Sequence, residues 1–137
     1  MHPFELLSEL PSAQAFKSLY DTTGWGAVSR DAAFYQAALA GSWRAHSAYA
    51  DGQLIGFVRA ISDGYLHAFI TEMIVLPEYQ AQGVGAALLA AIVADCQAAG
   101  PSDIQLFCAK GKSAFYQRHG FVSRPADAPG MQFAPAA

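Results

Sequence analysis

The stretch from Glu72 to Ala91, EMIVLPEYQAQGVGAALLAA, decides how the rest of the chain is interpreted. It begins with a β-branched apolar run that stops at Pro77 and ends in an alanine- and leucine-rich segment, which predicts a strand, a loop and a helix. The first N–H groups of a helix have no partner within it, and the helix dipole favours negative charge there. Glycine lets the loop backbone approach a ligand closely. The stretch therefore predicts a cradle for a phosphate or pyrophosphate group.

The composition excludes several classes of protein. With 137 residues and 14% charged residues, the chain is expected to form one folded domain over 1–137. A net charge of −3 argues against a nucleic-acid partner. No apolar run approaches the roughly 20 residues of a membrane span, so no membrane partner is expected. The N-terminus lacks the pattern of a signal peptide, and two cysteines are too few for a disulfide scaffold, which favours a cytoplasmic protein.

Turn signals divide the rest of the chain into strands and helices. Asp51-Gly52 predicts a tight hairpin, and Gly100-Pro101 ends the helix that follows the cradle. The strand after that helix should be parallel to the strand before the cradle, because a helical crossover joins them. The predicted strands are 4–10, 43–50, 53–61, 65–76, 103–109 and 131–134, and the predicted helices are 12–20, 31–39, 85–96 and 113–119.

Two motifs carry a family resemblance. The chain resembles the GNAT superfamily of N-acetyltransferases, whose loop Gln/Arg-x-x-Gly-x-Gly/Ala is present as Gln80, Gly83 and Gly85. A second block, 115–121, matches the family's Tyr-x-x-x-Gly-Phe through Tyr116. The order and length of the elements also fit, so the resemblance covers essentially the whole chain and is typical of small bacterial single-domain members. It implies an α/β (α+β) fold with a central mixed, mostly antiparallel twisted sheet of about six to seven strands, flanked by about four helices.

The resemblance implies acetyl-CoA as co-substrate. No metal is expected, because His46, His67 and His119 are scattered and none has a partner four residues on. Ile74 and Val75 are expected to contact the cofactor through their backbone, and the loop is expected to hold its pyrophosphate. One departure is Ala109, which stands where many members have an asparagine that touches the pantetheine arm. The residues expected to bind the cofactor are Ile74, Val75, Gln80, Ala81, Gln82, Gly83, Val84, Gly85, Ala86 and Tyr116.

Glu72 is the candidate base. A primary alkylamine resembles lysine, with a pKa of about 10.4, so a carboxylate or an ordered water chain must take its proton. The resemblance implies this role for Glu72. Alternation along the strand predicts that its side chain shares a face with Ile70 and Ile74, and such apolar surroundings would raise its pKa. The alternative is that Glu72 only pairs with a lysine or arginine on the sheet face.

Tyr116 is the candidate acid. A phenol with a pKa of about 10 is protonated at neutral pH and can donate to a thiolate whose conjugate acid has a pKa of about 8.5. The resemblance implies that this tyrosine hydrogen-bonds the CoA sulfur. The alternative is a core aromatic residue whose hydroxyl reaches water.

Trp25 and Tyr20 flank the loop between the first two helices, which in the family helps to wall the acceptor pocket. They could shape that pocket or only cover the core. Cys96 and Cys108 lie on apolar segments and are expected in the core.

The sequence thus predicts transfer of an acetyl group to a primary amine, by direct attack in a ternary complex. A small-molecule acceptor is favoured, and acetylation of a protein lysine or N-terminus is the alternative. A non-catalytic acyl-CoA sensor and a nucleotide- or phosphate-binding module are the other classes. Many relatives pair as homodimers, so a dimer is a further expectation.

Overall fold

The computed structural model describes residues 3–136, which form two compact units divided between Leu106 and Phe107. The first unit contains one sheet whose strands follow the order of the sequence, β1-β2-β3-β4-β5. Neighbouring strands from β1 to β4 are antiparallel, and β4 and β5 are parallel. The predicted mixed, mostly antiparallel sheet is therefore confirmed. Its strands are β1 (Glu5–Leu7), β2 (Arg44–Ala50), β3 (Gln53–Ser62), β4 (His67–Val75) and β5 (Asp103–Leu106).

The predicted number of about four helices is also confirmed. Side-chain caps set the start of α1 and α2, because Ser12 accepts a hydrogen bond from Ala15 N and Asp31 accepts one from Phe34 N. Within residues 3–136, no helix is both long and apolar enough to cross a membrane. The helices are α1 (Ala13–Asp21), α2 (Ala32–Leu39), α3 (Val84–Ala99) and α4 (Ser113–Arg118), with a 3₁₀ turn at Pro77–Tyr79.

Helices cover both faces of the sheet. Phe57 of β3 meets Phe16 of α1, with ring centroids 5.1 Å apart, so this face carries α1 and α2. The next residue, Val58, points to the opposite face and is paired with His46 of β2, which contacts Asp95 of α3 at 2.6 Å. Residues that share a face with Phe57 therefore lie towards α1 and α2, and residues that share a face with Val58 lie towards α3.

A β-bulge interrupts β4 at Glu72. Phe57 pairs with Ile74, whereas Arg59, two residues further along β3, pairs with Thr71. The four residues 71–74 of β4 therefore oppose the three residues 57–59 of β3. The extra residue on β4 forms the bulge. Glu72 has a φ of 50°, in the left-handed region that non-glycine residues rarely adopt.

The bulge corrects the predicted surroundings of Glu72. Ile70 pairs with Ala60 and Ile74 pairs with Phe57, and these two partners lie three residues apart on β3. Ile70 and Ile74 therefore occupy opposite faces, and the prediction that Glu72 shares one face with both was wrong. The alternation rule assumes an unbroken pleat, and the bulge shifts it by one residue.

The described residues contain five strands rather than the six to seven predicted, and no strand forms over 131–134. Pro125, Pro129 and Pro135 lie in this region, and a proline has no N–H to donate to a strand ladder. β1 and β5 are also shorter than predicted, since each ends three residues before its predicted end at 10 or 109.

Candidate active site

The predicted cradle lies where α3 begins. Gly83 caps the helix in the left-handed conformation, with a φ of 89°. The first hydrogen bond of the helix runs from Ala87 N to Gly83 O at 3.1 Å. The N–H groups of Val84, Gly85 and Ala86 precede that bond, so they have no partner within the helix.

The space beside the cradle is open. A Cβ atom placed on Gly83 would meet no heavy atom within 4 Å. Adjacent backbone is also bent into the left-handed region, since Ala81 has a φ of 61°. Free helix N–H groups, the positive end of the helix dipole and open space in front of them fit an anionic phosphate group.

Two glutamine side chains shape the loop that leads into the cradle. Gln80 Nε2 donates to Val75 O at 3.0 Å, and Gln82 Nε2 donates to Glu78 O at 3.1 Å. Gln80 thus fixes the loop to the end of β4. Cofactor binding by these two residues stays a prediction.

The end of β4 runs beyond its parallel neighbour. The last register pair between the two strands joins Ile70 to Leu106, whereas β4 continues to Val75. The backbone of Ile74 and Val75 therefore lies past the parallel pairing and next to the cradle loop. The predicted cofactor contact through these two residues stays a prediction.

Glu72 lies in an ion pair. Its Oε1 accepts from Arg59 Nε at 2.7 Å, and its Oε2 accepts from Thr71 Oγ1 at 2.9 Å. Arg59 also donates from Nη1 to Ala38 O of α2 at 2.7 Å. The Arg59 and Glu72 side chains are 13% and 18% exposed, so this pair is largely shielded from water. The arginine pairing that the sequence left as an alternative is therefore present, and a part for Glu72 in proton transfer stays a prediction.

The ion pair lines a recess between the sheet and the first two helices, which we name the α1–α2 recess. Its volume is about 80 Å³. Tyr20 lines it, while Trp25 stands beside Tyr20 with ring centroids 6.0 Å apart and is not among the lining residues. Acceptor binding by these two residues stays a prediction. Burial, followed by the nearby carboxylate of Glu72, raises the pKa of Tyr20. The lining residues are Phe16, Tyr20, Arg30, Phe34, Tyr35, Ala38, Leu39, Arg59 and Glu72.

Sequence reasoning missed Arg59, Arg30 and Tyr35. Arg59 had a usable signal, because it is the one charged residue in the apolar strand QLIGFVRAIS, and a charge there requires a partner. Arg30 lies in the connection between α1 and α2, where no pattern distinguishes a functional arginine from a solvated one.

Tyr116 lies on α4, in the unit that begins at Phe107. Its ring packs edge-on against Phe115 at 5.1 Å and Phe121 at 6.0 Å, and Phe121 N donates to its carbonyl oxygen at 3.1 Å. Burial raises the pKa of Tyr116, and the neighbouring Cys108 adds to the shift. The phenol is therefore protonated at neutral pH, as a proton donor must be.

The two cysteines differ in exposure. Cys96 is buried on α3, where burial raises its pKa, but Cys108 is exposed and does not belong to the core as predicted. Cys108 follows the end of β5, so the strand that should have buried it stops short of it. Among residues 3–136, no three His, Cys, Asp or Glu side chains come together in a way that could hold a metal ion.

The sequence matches the family model described as an acetyltransferase (GNAT) domain over residues 42–123, more than half of the chain. The chain therefore belongs to the GNAT acetyltransferase family, whose members use acetyl-CoA as co-substrate. The matched region contains both the cradle and Tyr116.

Two chloroplast enzymes are among the similar proteins. The chain is 35% identical over 79 residues to GCN5-related N-acetyltransferase 1, chloroplastic, of Arabidopsis thaliana, covering 58% of this chain and 40% of that protein. It is 34% identical over 82 residues to serotonin N-acetyltransferase 2, chloroplastic, of Oryza sativa subsp. japonica, covering 60% of this chain and 41% of that protein. The chain thus spans less than half the length of these curated relatives. Because both are chloroplast proteins, the predicted bacterial type stays a prediction.

Solved structures show the same fold. A GNAT family acetyltransferase of Streptococcus pneumoniae superposes with a TM-score of 0.83 at 24% identity, covering 98% of this chain and all of that one. Glucosamine-6-phosphate N-acetyltransferase of Arabidopsis thaliana superposes with a TM-score of 0.79 at 11% identity, covering 98% of this chain and 99% of that one. The predicted GNAT fold is confirmed.

Proposed function

We propose that this protein transfers an acetyl group from acetyl-CoA to the primary amine of a small molecule, by direct attack in a ternary complex. The observation that carries this proposal is the start of α3, where the N–H groups of residues 84–86 have no partner within the helix and the space beside Gly83 is open. The CoA pyrophosphate binds there, and the loop from Gln80 to Gly83 surrounds it.

The thioester lies along the end of β4. Backbone N–H groups near Ile74 and Val75 stabilise the oxyanion that forms when the amine attacks the thioester carbonyl. The side chains of these residues belong to the strand packing, so their substitution would report stability rather than catalysis.

Glu72 accepts the proton of the attacking amine, directly or through an ordered water. A carboxylate has about four lone-pair sites, and the bonds from Arg59 and Thr71 use one on each oxygen. Capacity therefore remains for a further donor. In this account Arg59 holds the carboxylate in position.

Tyr116 supplies the proton that the departing thiolate takes up. As the bond from nitrogen to the acetyl carbon forms and the bond from that carbon to sulfur breaks, the phenol donates its proton to the departing thiolate. Solvent returns a proton to the phenolate afterwards. The raised pKa of Tyr116 keeps this proton available at neutral pH.

A small-molecule acceptor is favoured because side chains of the sheet and of the first two helices line the α1–α2 recess closely. Serotonin N-acetyltransferase 2 of Oryza sativa is named for a small amine, which is consistent with this choice. Acetylation of a protein lysine or N-terminus is the alternative. Thiol release with a peptide acceptor, but with no small amine, would indicate it.

The proposal is tested by acetyl-CoA-dependent thiol release across a library of small amines and a lysine peptide. We expect release with at least one small amine and a drop in kcat of about 10²-fold for Tyr116→Phe. Tyr65→Phe is the matched control, because Tyr65 is 82% exposed. Binding of acetyl-CoA without release for any acceptor would instead identify an acyl-CoA sensor.

A further inference from the structure

We infer that the α1–α2 recess binds the acceptor, and that this acceptor is an amine that also carries a carboxylate, held by Arg30. The inference rests on the proposed acetyl transfer and adds the substrate class, an amino acid or a similar amino carboxylate. It follows from the charges and the walls of the recess, and from the positions of Arg30 and Glu72 beside Tyr20.

The charges in the recess do not cancel. Arg30, Arg59 and Glu72 are its charged lining residues. Arg59 and Glu72 neutralise one another through their contact at 2.7 Å. Arg30 forms no ion pair with any acidic side chain of residues 3–136. One exposed guanidinium is thus left without an acidic partner, and the carboxylate of a ligand would match it.

Arg30 is held in place before any ligand arrives. Its guanidinium carbon lies 4.7 Å from the centroid of the Phe34 ring. It also lies beside the Tyr20 phenol, whose pKa it lowers against the larger effect of burial. A stacked guanidinium loses less freedom on binding and offers a planar pair of donors that matches a carboxylate.

The walls of the recess are aromatic and apolar. Tyr35 packs against Phe16 at 5.6 Å and against Tyr20 at 5.1 Å between ring centroids, and Ala38 and Leu39 complete the lining. Such walls suit the hydrocarbon side chain of a small acceptor. A polyamine or an amino sugar would bring further positive charge or many hydroxyl groups to this surface, next to an unpaired arginine.

Arg30 and Glu72 both lie near the Tyr20 phenol, because both affect its pKa. Glu72 lines the recess and stands on the bulge of β4, two residues before Ile74. An α-amino acid, whose amine and carboxylate share one carbon, can therefore bind Arg30 through its carboxylate and present its amine to Glu72, towards the strand along which the thioester is proposed to lie.

Matched pairs of substrates test this inference. Each amino acid is compared with the amine left by removing its carboxylate, as in tyrosine with tyramine and leucine with isoamylamine, and kcat/KM is measured by thiol release. With kcat/KM expressed per unprotonated amine, because an α-amino group is less basic than an alkylamine, we expect wild type to prefer the carboxylate form about tenfold or more, the effect of one charge-assisted contact. Equal use of both forms, or a preference for the simple amine, would overturn the inference.

Arg30→Gln supplies the decisive comparison. We expect it to raise KM for the amino acid about tenfold more than KM for the simple amine, which abolishes the preference. Differences in the intrinsic reactivity of the two substrates cancel when their ratio in Arg30→Gln is divided by their ratio in wild type. Arg44→Gln is the matched control, since Arg44 also stacks on an aromatic ring, Trp43 at 4.4 Å, but does not line the recess. An equal fall in kcat/KM for both substrates would contradict the role given to Arg30.

A direct binding measurement separates this inference from the proposed function. If no amine supports thiol release, acetyl transfer fails as a function, and calorimetric titration of tyrosine and tyramine then tests the recess alone. Binding of tyrosine that exceeds that of tyramine, and that Arg30→Gln abolishes, would support the inference. Absence of tyrosine binding to wild type would overturn it.

Discussion

Arg59 donates from Nε to Oε1 of Glu72 at 2.7 Å, across the bulge that sets β4 out of step with β3. Because Arg59 also donates to Ala38 O, the pair connects the sheet to the end of α2. Glu72 is therefore an ion-paired carboxylate at the edge of a recess rather than an acid among aliphatic side chains. Any change at Glu72 must be analysed for stability and for catalysis separately.

Glu72→Gln separates these two roles. We expect kcat to fall about 10²-fold and the acidic limb of the pH–rate profile to change, because the proton acceptor is lost. We also expect about 1–3 kcal/mol of destabilisation, because Arg59 keeps its charge and its bond to Ala38 O but loses its acidic partner. Thermal unfolding measures the second effect, and Glu5→Gln, an exposed strand position, is the control. An unchanged rate and acidic limb would remove Glu72 from the mechanism.

Gly83→Ala tests the cradle. A left-handed alanine costs about 1–2 kcal/mol, and its methyl group would occupy the space assigned to the phosphate. Gly52→Ala is a matched control, because Gly52 has a φ of 77°, compared with 89° for Gly83, and neither has a heavy atom within 4 Å of its built Cβ. We expect both variants to lose similar stability in urea, and only Gly83→Ala to lose affinity for acetyl-CoA by tenfold or more. Equal affinity in the two variants would contradict this site.

Tyr35→Phe concerns a buried hydroxyl. The Tyr35 side chain is 2% exposed, and its hydroxyl has no hydrogen-bond partner among residues 3–136. Since an unsatisfied buried hydroxyl is costly, we expect its removal to leave the free energy of unfolding unchanged or to raise it by up to about 1 kcal/mol. Urea denaturation provides the measurement. A loss above about 1 kcal/mol would show that the hydroxyl has a partner in solution.

The two thiols should differ in reactivity. We expect an aromatic disulfide reagent to modify Cys108 rapidly in the native protein, because it is exposed, and to reach Cys96 only on unfolding. Burial raises the folded-state pKa of Cys96, so its contribution to stability is present below the ordinary thiol pKa and is lost as the pH rises above it. Cys108→Ser should remove the rapid phase, and a rapid phase that persists would show that Cys96 is accessible.

The cradle could be predicted because all of its signals are local. Its signals lie within about twenty residues of one another: the apolar run, Pro77, the glycines and the helical periodicity. Each indicates a strand, a loop or a helix for a direct physical reason. The hairpin at Asp51-Gly52 is of the same kind, since both residues adopt the positive φ that this turn requires, at 49° and 77°.

The acceptor side could not be predicted in the same way. The contact between Arg59 and Glu72 joins residues thirteen positions apart, and its geometry depends on a bulge formed by a residue without the usual glycine. The α1–α2 recess arises only when two helices and two strands pack together. Apolar residues at 131–134 also suggested a strand, but a strand needs a partner edge, which a local pattern does not supply.

Calorimetric titration with acetyl-CoA and with S-acetylpantetheine tests the central claim most directly. S-acetylpantetheine keeps the thioester and the pantetheine arm but lacks the pyrophosphate and nucleotide, and ATP serves as the control for a general phosphate site. We predict that acetyl-CoA binds at least tenfold more tightly than either compound, and that Gly83→Ala removes most of this advantage. Equal affinity for acetyl-CoA and S-acetylpantetheine, or binding of ATP alone, would contradict the assignment of the α3 cradle to the pyrophosphate of CoA.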